Sequence, residues 1–391
     1  MRTVSIFGAT GSVGRQTAAL IRHQGGAETY RIRALTARTD VSGLAALARE
    51  FRAELAVVAD PARLPALRAA LSGSDVAVAG GSDALVEAAR RGADWTMCAI
   101  VGAAGLAPTL AAAETGSTIA LANKESMVCA GALVKAAVAR AGGTLLPVDS
   151  EHSAIFQALE GHTAPTRIIL TASGGPFRSW SLAQMADARV EQAVAHPNWA
   201  MGRKISIDSA SMFNKGLEMI EAMALFDLRA DQIDVVVHPQ SIVHSLVEFA
   251  DGAQLAHLGP TDMQGPIGYA LNWPERKALP LPQLDLAAIG TLTFEAPDPV
   301  RFPALRLARQ AMAAGGLMGS VLNGAKEAAL DAYLDNRTGF LDMAALVETA
   351  LDGLSGWAGV TSAQTGLSGV VEADAQARAL VEEHLKRTST G

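Results

Sequence analysis

An α/β fold is predicted, with a doubly wound parallel sheet at the amino terminus, a central α+β region and a helical carboxyl terminus. Three observations predict it. β-prone and helix-periodic segments alternate over residues 3–148, and such alternation demands parallel strands joined by right-handed crossovers. Glycines at 8, 11 and 14 stand between the first strand-like run and the first helical one. Half of the residues are hydrophobic but only 5% are aromatic, which suits closely packed helix-on-sheet layers better than an aromatic-rich sandwich.

The elements follow in order. Residues 3–7 are β-prone and residues 15–23 have helical spacing; strands are then expected at 30–35, 55–58, 75–79, 97–101, 118–122 and 144–148. Helices are expected between them at 41–51, 62–71, 83–90, 107–113 and 125–140. The pattern changes near Asp149. A polar stretch leads to an apolar run at 167–171, and a Gly-Gly-Pro break follows at 174–176. Runs at 233–238 and 242–249 read as strands, and 253–258 pairs with the latter across the Asp251-Gly252 turn, either covering a face or forming a dimer edge. A proline-rich stretch from Pro274 to Pro299 reads as a linker, and helical spacing resumes at Phe302. The expected domains are therefore 1–148, 149–273 and 301–391, with a linker at 274–300.

Composition narrows the partners. The 391 residues carry 32 basic and 39 acidic side chains, a net charge of -7, with no Lys/Arg-rich run of the kind that binds nucleic acid. An anionic substrate has to be met by a few local donors. Cys98 and Cys129 are the only cysteines and show no metal-ligand spacing, so two buried thiols in a reducing compartment are expected. No signal peptide is read, and the uncharged run 95–113 is broken by Gly102, Gly105 and Pro108, which argues against a membrane span. A cytoplasmic location is expected.

Four constellations carry chemistry. GATGSVG at residues 8–14 lets the backbone approach a pyrophosphate, with helix-start amides attracting its charge; alternatively it is only a tight strand-to-helix turn. Past the second strand stands Thr36-Ala37-Arg38-Thr39-Asp40. Arg38 can pair with a 2′-phosphate, whereas Asp40 can accept from a free 2′-hydroxyl or cap the next helix. In Asp149-Ser150-Glu151-His152, carboxylates two apart on an extended segment converge on one hard cation such as Mg2+ or Mn2+, and His152 faces the other way as a structural residue. An acidic surface turn is the alternative. Ser209 to Glu218 forms the third group. A helix over 214–225 puts Asn214, Lys215 and Glu218 on one face, either as an ion pair or as a phosphate-binding group with Glu218 reaching a metal. Before it, His196-Pro197-Asn198-Trp199-Ala200-Met201-Gly202 reads as a mobile cover or a packed surface loop. The fourth group, Asn123-Lys124-Glu125, sits at the carboxyl edge of a strand, where α/β sheets bind ligands, or merely caps a helix.

Taken together, GATGSVG, LANKES, PVDSEH, SGGPF, HPNWAMGRKISIDSASMFNKGLEMIEA and HPQSIVHS resemble the 1-deoxy-D-xylulose-5-phosphate reductoisomerase family over essentially the whole chain. The resemblance implies a dinucleotide-binding domain, a catalytic and connective domain and a helical carboxyl-terminal domain, usually in a homodimer. It also implies conversion of a small phosphorylated sugar, 1-deoxy-D-xylulose 5-phosphate, to 2-C-methyl-D-erythritol 4-phosphate, on the non-mevalonate route to isoprenoids. The cofactors it implies are NADPH and Mg2+ or Mn2+; the skeleton rearranges by retro-aldol cleavage and re-addition, then hydride reduces the aldehyde. Carried over by motif, Asp149, Glu151 and Glu218 are the metal ligands. Ser150, Ser173, Ser209, Asn214 and Lys215 bind substrate, mostly at its phosphate, and Lys124 and Glu151 lie near the reacting centre. His196 and Trp199 belong to the closing loop, while Thr10, Gly11, Ser12, Val13, Asn123, Glu125 and Gly202 contact the nucleotide. The family commonly has Gly and Asn flanking a basic residue after the second strand; this chain has Arg38-Thr39-Asp40, so Arg38 and Asp40 are the selectivity candidates.

Overall fold

The computed structural model describes residues 1–199 and 202–389. They divide into two compact units, one made of Met1–Ser126, Leu133–Ser153 and Asp262–Pro282, the other of Met127–Ala132, Ala154–Thr261 and Gln283–Gly391.

The first unit is built on β1 (Arg2–Phe7), α1 (Ser12–His23), β2 (Tyr30–Ala37), α2 (Val41–Glu50), β3 (Leu55–Val58), α3 (Leu64–Ala70) and β4 (Ala77–Gly80). It continues through α4 (Ser82–Arg90), β5 (Trp95–Cys98), α5 (Leu106–Ala113), β6 (Thr118–Leu121), α6 (Glu125–Ala141, apart from its residues 127–132) and β7 (Thr144–Pro147). The seven strands lie in the order β4-β3-β2-β1-β5-β6-β7 and are all parallel. Both faces are covered, which is why the central strands read as continuous apolar runs; Val4, Ile6, Leu35, Val57, Met97 and Ile119 are fully buried. Each such side chain stabilises the fold by about 1.5–3 kcal/mol.

The chain leaves β1 in one direction through β2, β3 and β4, then returns to lay β5 on the other side of β1. That reversal opens a crevice at the carboxyl ends of β1 and β5, the usual ligand position in open α/β sheets. Gly8, at φ +90°, comes so close to the turn after β5 that an added Cβ would stand 2.7 Å from the Ala99 carbonyl oxygen. The segment Asp262–Pro282 belongs to this unit, and the Trp95 indole N–H donates to the Ala270 carbonyl at 2.9 Å.

After α7 (Ser150–Leu159), the remaining elements are β8 (Arg167–Ala172), α8 (Leu182–Ala186), α9 (Val190–Ala193), α10 (Arg203–Ala210), α11 (Phe213–Phe226), β9 (Ile233–Val237), β10 (Val243–Glu248) and β11 (Gln254–Leu258). Then come α12 (Gln264–Asn272), α13 (Leu286–Ile289), α14 (Ala304–Ala314), α15 (Met318–Leu334), α16 (Asp342–Gly353) and α17 (Ser362–Ser389), the last kinked at Gly366. The second unit's sheet runs β11-β10-β8-β9, mixed in direction: β8 is parallel to β9 and antiparallel to β10. Arg167 pins its far end with ion pairs to Asp234 at 3.0 Å and Glu248 at 2.7 Å. Helices α14 to α17 follow, and α11 packs on α14 where Gly216 leaves room beside Ala304 and Ala308.

Cys98 and Cys129 are both buried and form no disulfide, and burial pushes the Cys98 thiol up to about 12. The run 95–113 holds β5 and α5, and among the described residues no helix is long and apolar enough to cross a membrane.

Candidate active site

The turn after β1 shapes one part of the sheet's carboxyl edge. The Gly8 amide donates to Thr36 Oγ1 at 2.9 Å and the Ala9 amide to the Thr36 carbonyl at 2.7 Å, so the turn is fastened to β2. A Cβ at Gly14 would stand 2.2 Å from the Gly8 carbonyl oxygen. Only glycine lets α1 start this close to the strand. Gly11 and Ser12 remain exposed and Thr10 and Val13 half-buried, at the start of a twelve-residue helix whose first amides face outward for an anion.

Beyond β2, Arg38 and Thr39 are exposed. Asp40 caps α2, accepting from the Gly43 amide at 2.9 Å, and pairs with Arg15 at 3.2 Å. Asn123 and Glu125 are buried. The Asn123 amide group donates to the Ile100 carbonyl at 2.6 Å and to Glu125 at 2.8 Å, holding the loop after β5.

The acidic motif corrects one sequence expectation. Residues 149–152 are not an extended segment: α7 begins at Ser150, because the polar Ser-Glu-His start leads straight into an apolar helical face. Helical spacing therefore brings His152 back beside Asp149, 3.5 Å away, instead of pointing it to the opposite side. Asp149 and Glu151 still offer carboxylate oxygens within 4.8 Å of each other, and Ser150 Oγ donates to Glu151 at 2.5 Å. Lys124 stands 2.7 Å from Asp149. Burial alone pushes the Asp149 carboxyl up; the Lys124 charge, with His152 assisting, outweighs this and holds it well below the usual carboxylate range. Two anionic oxygen donors beside a lysine fit a hard divalent cation and an oxyanion together.

In the second unit, a group of donors gathers around the ends of β8, α10 and α11. Ser173 follows β8, and the turn closes through Gly175 at φ +66°, where an added Cβ would stand 2.8 Å from the Ser209 carbonyl. Ser209, half-buried at the end of α10, is thereby pressed against the Ser173 turn. Met212, buried at φ +64°, turns the chain sharply into α11. On its first turns Asn214 and Lys215 both donate to Glu218. Lys215 and Glu218 are almost wholly buried, 4% and 1% exposed at the side chain, so their charges compensate each other out of water.

His196 shows its tautomer. Its Nδ1 accepts the amides of Asn198 at 3.2 Å and Trp199 at 2.9 Å, so the ring hydrogen sits on Nε2, which donates to Ser173 Oγ at 2.9 Å. The Gly175 amide also donates to Ser173 Oγ, at 3.1 Å. With both lone pairs engaged, the Ser173 hydroxyl has its own hydrogen left to give to a ligand. Burial lowers the His196 pKa and keeps the ring neutral. Gly202 caps α10; Ala200 and Met201, part of the expected closing loop, lie outside the described residues.

His244 on β10 is a member of this group that motif reading did not single out. Its ring lies 6.2 Å from Trp199 and 5.7 Å from His257 between centroids, and it is electrostatically coupled to Lys215. The available signal was the second histidine of HPQSIVHS, on the strand that pairs with the edge strand β11.

The comparisons with known proteins bear on this geometry. Models of the 1-deoxy-D-xylulose 5-phosphate reductoisomerase family match residues 4–131, and those of its C-terminal domains match 145–226 and 258–380. A curated 1-deoxy-D-xylulose 5-phosphate reductoisomerase of Ruegeria pomeroyi is 57% identical over 384 residues, covering 98% of this chain and 97% of the relative. The chain belongs to the 1-deoxy-D-xylulose 5-phosphate reductoisomerase family. A second member, from Sinorhizobium medicae, is 58% identical across 96% of both chains. Among solved reductoisomerases, that of Zymomonas mobilis in complex with NADPH superposes with a TM-score of 0.91 at 49% identity, over 98% of this chain and 99% of its own. Another, in complex with NADPH, fosmidomycin and magnesium, reaches 0.95 at 42% identity over the full length of both. The chain is thus an enzyme of the reductoisomerase fold, as its motifs implied.

Proposed function

We propose that the protein converts 1-deoxy-D-xylulose 5-phosphate to 2-C-methyl-D-erythritol 4-phosphate with NADPH and a divalent cation, Mg2+ or Mn2+. The observation that carries the reading is the pair Asp149 and Glu151, oxygen donors within 4.8 Å beside Lys124, in a chain that opens on a glycine-shaped nucleotide turn. Family membership and the solved relatives that hold NADPH and magnesium support it.

When bound, the cation supplies Lewis acidity and a template for neighbouring oxygens, and NADPH supplies hydride. Asp149, Glu151 and Glu218 are the proposed ligands of the cation, on their donor chemistry and motif. Lys124 keeps Asp149 ionised and offers a cationic N–H to an oxyanion developing on the substrate. Ser150 orients the Glu151 carboxylate through its hydroxyl. Ser173, Ser209, Asn214 and Lys215 bind the substrate's phosphate, with Ser173 forced into the donor role. His196 sets that role, and Trp199 beside His244 excludes water. Thr10, Gly11, Ser12 and Val13 receive the pyrophosphate, while Asn123 and Glu125 contact the nucleotide as their motif implies.

The test is a spectrophotometric assay of NADPH oxidation with purified protein. Turnover is expected only with the deoxyxylulose phosphate and Mg2+ or Mn2+ both present; full activity in excess chelator overturns the metal assignment. The same reading makes the enzyme a cytoplasmic homodimer. Leu255, exposed on the edge strand β11, supports a contact between copies there. Sedimentation velocity on the full chain checks it, and a monomer at assay concentrations overturns it.

A further inference from the structure

An acidic side chain just past the second strand of a dinucleotide-binding sheet accepts from a free 2′-hydroxyl and repels a 2′-phosphate. By that rule Asp40 argues for NADH. Its surroundings argue the reverse. Asp40 Oδ1 accepts from the Gly43 amide at 2.9 Å and the Ser42 hydroxyl at 3.2 Å, and Oδ2 faces Arg15 Nη2 at 3.2 Å. The cap is tight at this point, since a Cβ at Gly43 would stand 2.4 Å from Asp40 Oδ2. Arg15 is held from its other side, where Nε donates to the Thr10 carbonyl at 2.7 Å.

One guanidinium therefore bridges the turn after β1 and the turn after β2, the two turns at the ribose end of a nucleotide lying across this edge. Its side chain remains 66% exposed, with further N–H groups for an anion. Arg15 and Arg38 against Asp40 leave this corner with a net charge of one positive unit.

We propose that Arg15, clamped by Thr10 and Asp40, is a specificity-determining residue that selects the 2′-phosphate of NADPH. Asp40 serves as the anchor that aims it. Arg15 cancels the carboxylate's repulsion and adds a charged donor for the phosphate, which is most useful as the planar fork of an arginine. The inference rests on the nucleotide reading given above.

Equilibrium titrations of the full-length enzyme, without substrate or metal, test it with NADPH, NADH and adenosine 2′,5′-bisphosphate as probes. Arg15→Gln is expected to weaken NADPH and the bisphosphate by about tenfold or more, the worth of one charged hydrogen bond. NADH should change by less than about twofold. Adding Asp40→Asn to that variant should recover much of the NADPH loss, because asparagine still caps α2 but no longer repels the phosphate. Equal weakening of NADPH and NADH, no weakening of either, or failure of Asp40→Asn to rescue overturns the proposal. If the unaltered enzyme binds neither NADPH nor NADH, the nucleotide reading itself falls.

Discussion

Lys124 Nζ lies 2.7 Å from Asp149 Oδ2, so the turn after β6 and the turn after β7 share one charge pair at the sheet's carboxyl edge. The lysine, more than any other neighbour, keeps the half-buried carboxylate ionised. Asp149→Asn is accordingly expected to weaken Mn2+ binding by more than about tenfold while NADPH affinity stays within about twofold. Mn2+ titration followed by electron paramagnetic resonance, alongside nucleotide fluorescence, separates the two. Unchanged Mn2+ affinity would remove Asp149 from the ligand set.

The histidine on β10 makes stability depend on pH. Burial lowers the His244 pKa to about 4; backbone groups of Pro260 and Gly259 oppose this, and Lys215 and His238 add to it. The folded state thus binds fewer protons than the unfolded chain between the ordinary value of 6.5 and about 4. Its contribution is full above pH 6.5 and is lost as pH falls through that window. Urea unfolding is expected to show the unaltered protein losing up to about 3 kcal/mol more over this range than His244→Gln. Parallel pH profiles would count against it.

A buried ion network fastens α10 to α15. Lys326, 2% exposed, pairs with Asp208 at 2.9 Å and Glu327 at 2.6 Å, and Lys204 reaches Glu327 at 3.0 Å and Asp331 at 2.6 Å. Removing one buried partner strands the others, so Lys326→Ala should cost about 3–5 kcal/mol at neutral pH. Burial pushes the Glu327 carboxyl up, but Lys326 and then Lys204 bring it down to about 2. Its stabilising effect is therefore present above about pH 4.5 and lost as pH falls toward 2, and the penalty of Glu327→Gln should shrink over that interval. A pH-independent penalty in denaturant melts would contradict this.

The glycine turn gives the most severe steric expectation. At Gly14 a methyl group would meet backbone at 2.2 Å, with no flexible side chain to give way. Gly14→Ala should weaken NADPH binding by about tenfold or more, through displacement of α1 from the strand. Gly73→Ala, at a position where φ is +74° but nothing lies within 4 Å, serves as the control that strains backbone without touching the turn. Equal nucleotide affinity in both variants would show that the close approach does not matter to binding.

Much of the first sheet was legible because each strand is local and apolar on both faces. Residues 55–58 are a strand in sequence and structure alike, and 118–122 differs by one residue. What escaped was non-local. The chain beyond Thr261 returns to the first unit, where Ala270 meets Trp95, and nothing in the local pattern of 262–282 signals that. The start of α7 at Ser150 was misread because two carboxylates two positions apart suit a strand face as readily as a first helical turn. Motifs placed Ser173, His196, Ser209, Asn214 and Lys215 in the sequence. Spacing alone gave no hint of His244, or of Arg15 closing on Asp40 across 25 positions.

The two backbone amides that grip His196 have a consequence for what can be bound. They fix the ring hydrogen, the ring fixes the serine, and Ser173 is wired as a donor only. An incoming group with a lone pair at that spot completes the circuit, whereas one presenting its own hydrogen meets two donors face to face. For the substrate proposed to bind here, the polarity of a single hydrogen bond thus screens alongside size and shape, a filter set several residues away from the group it screens.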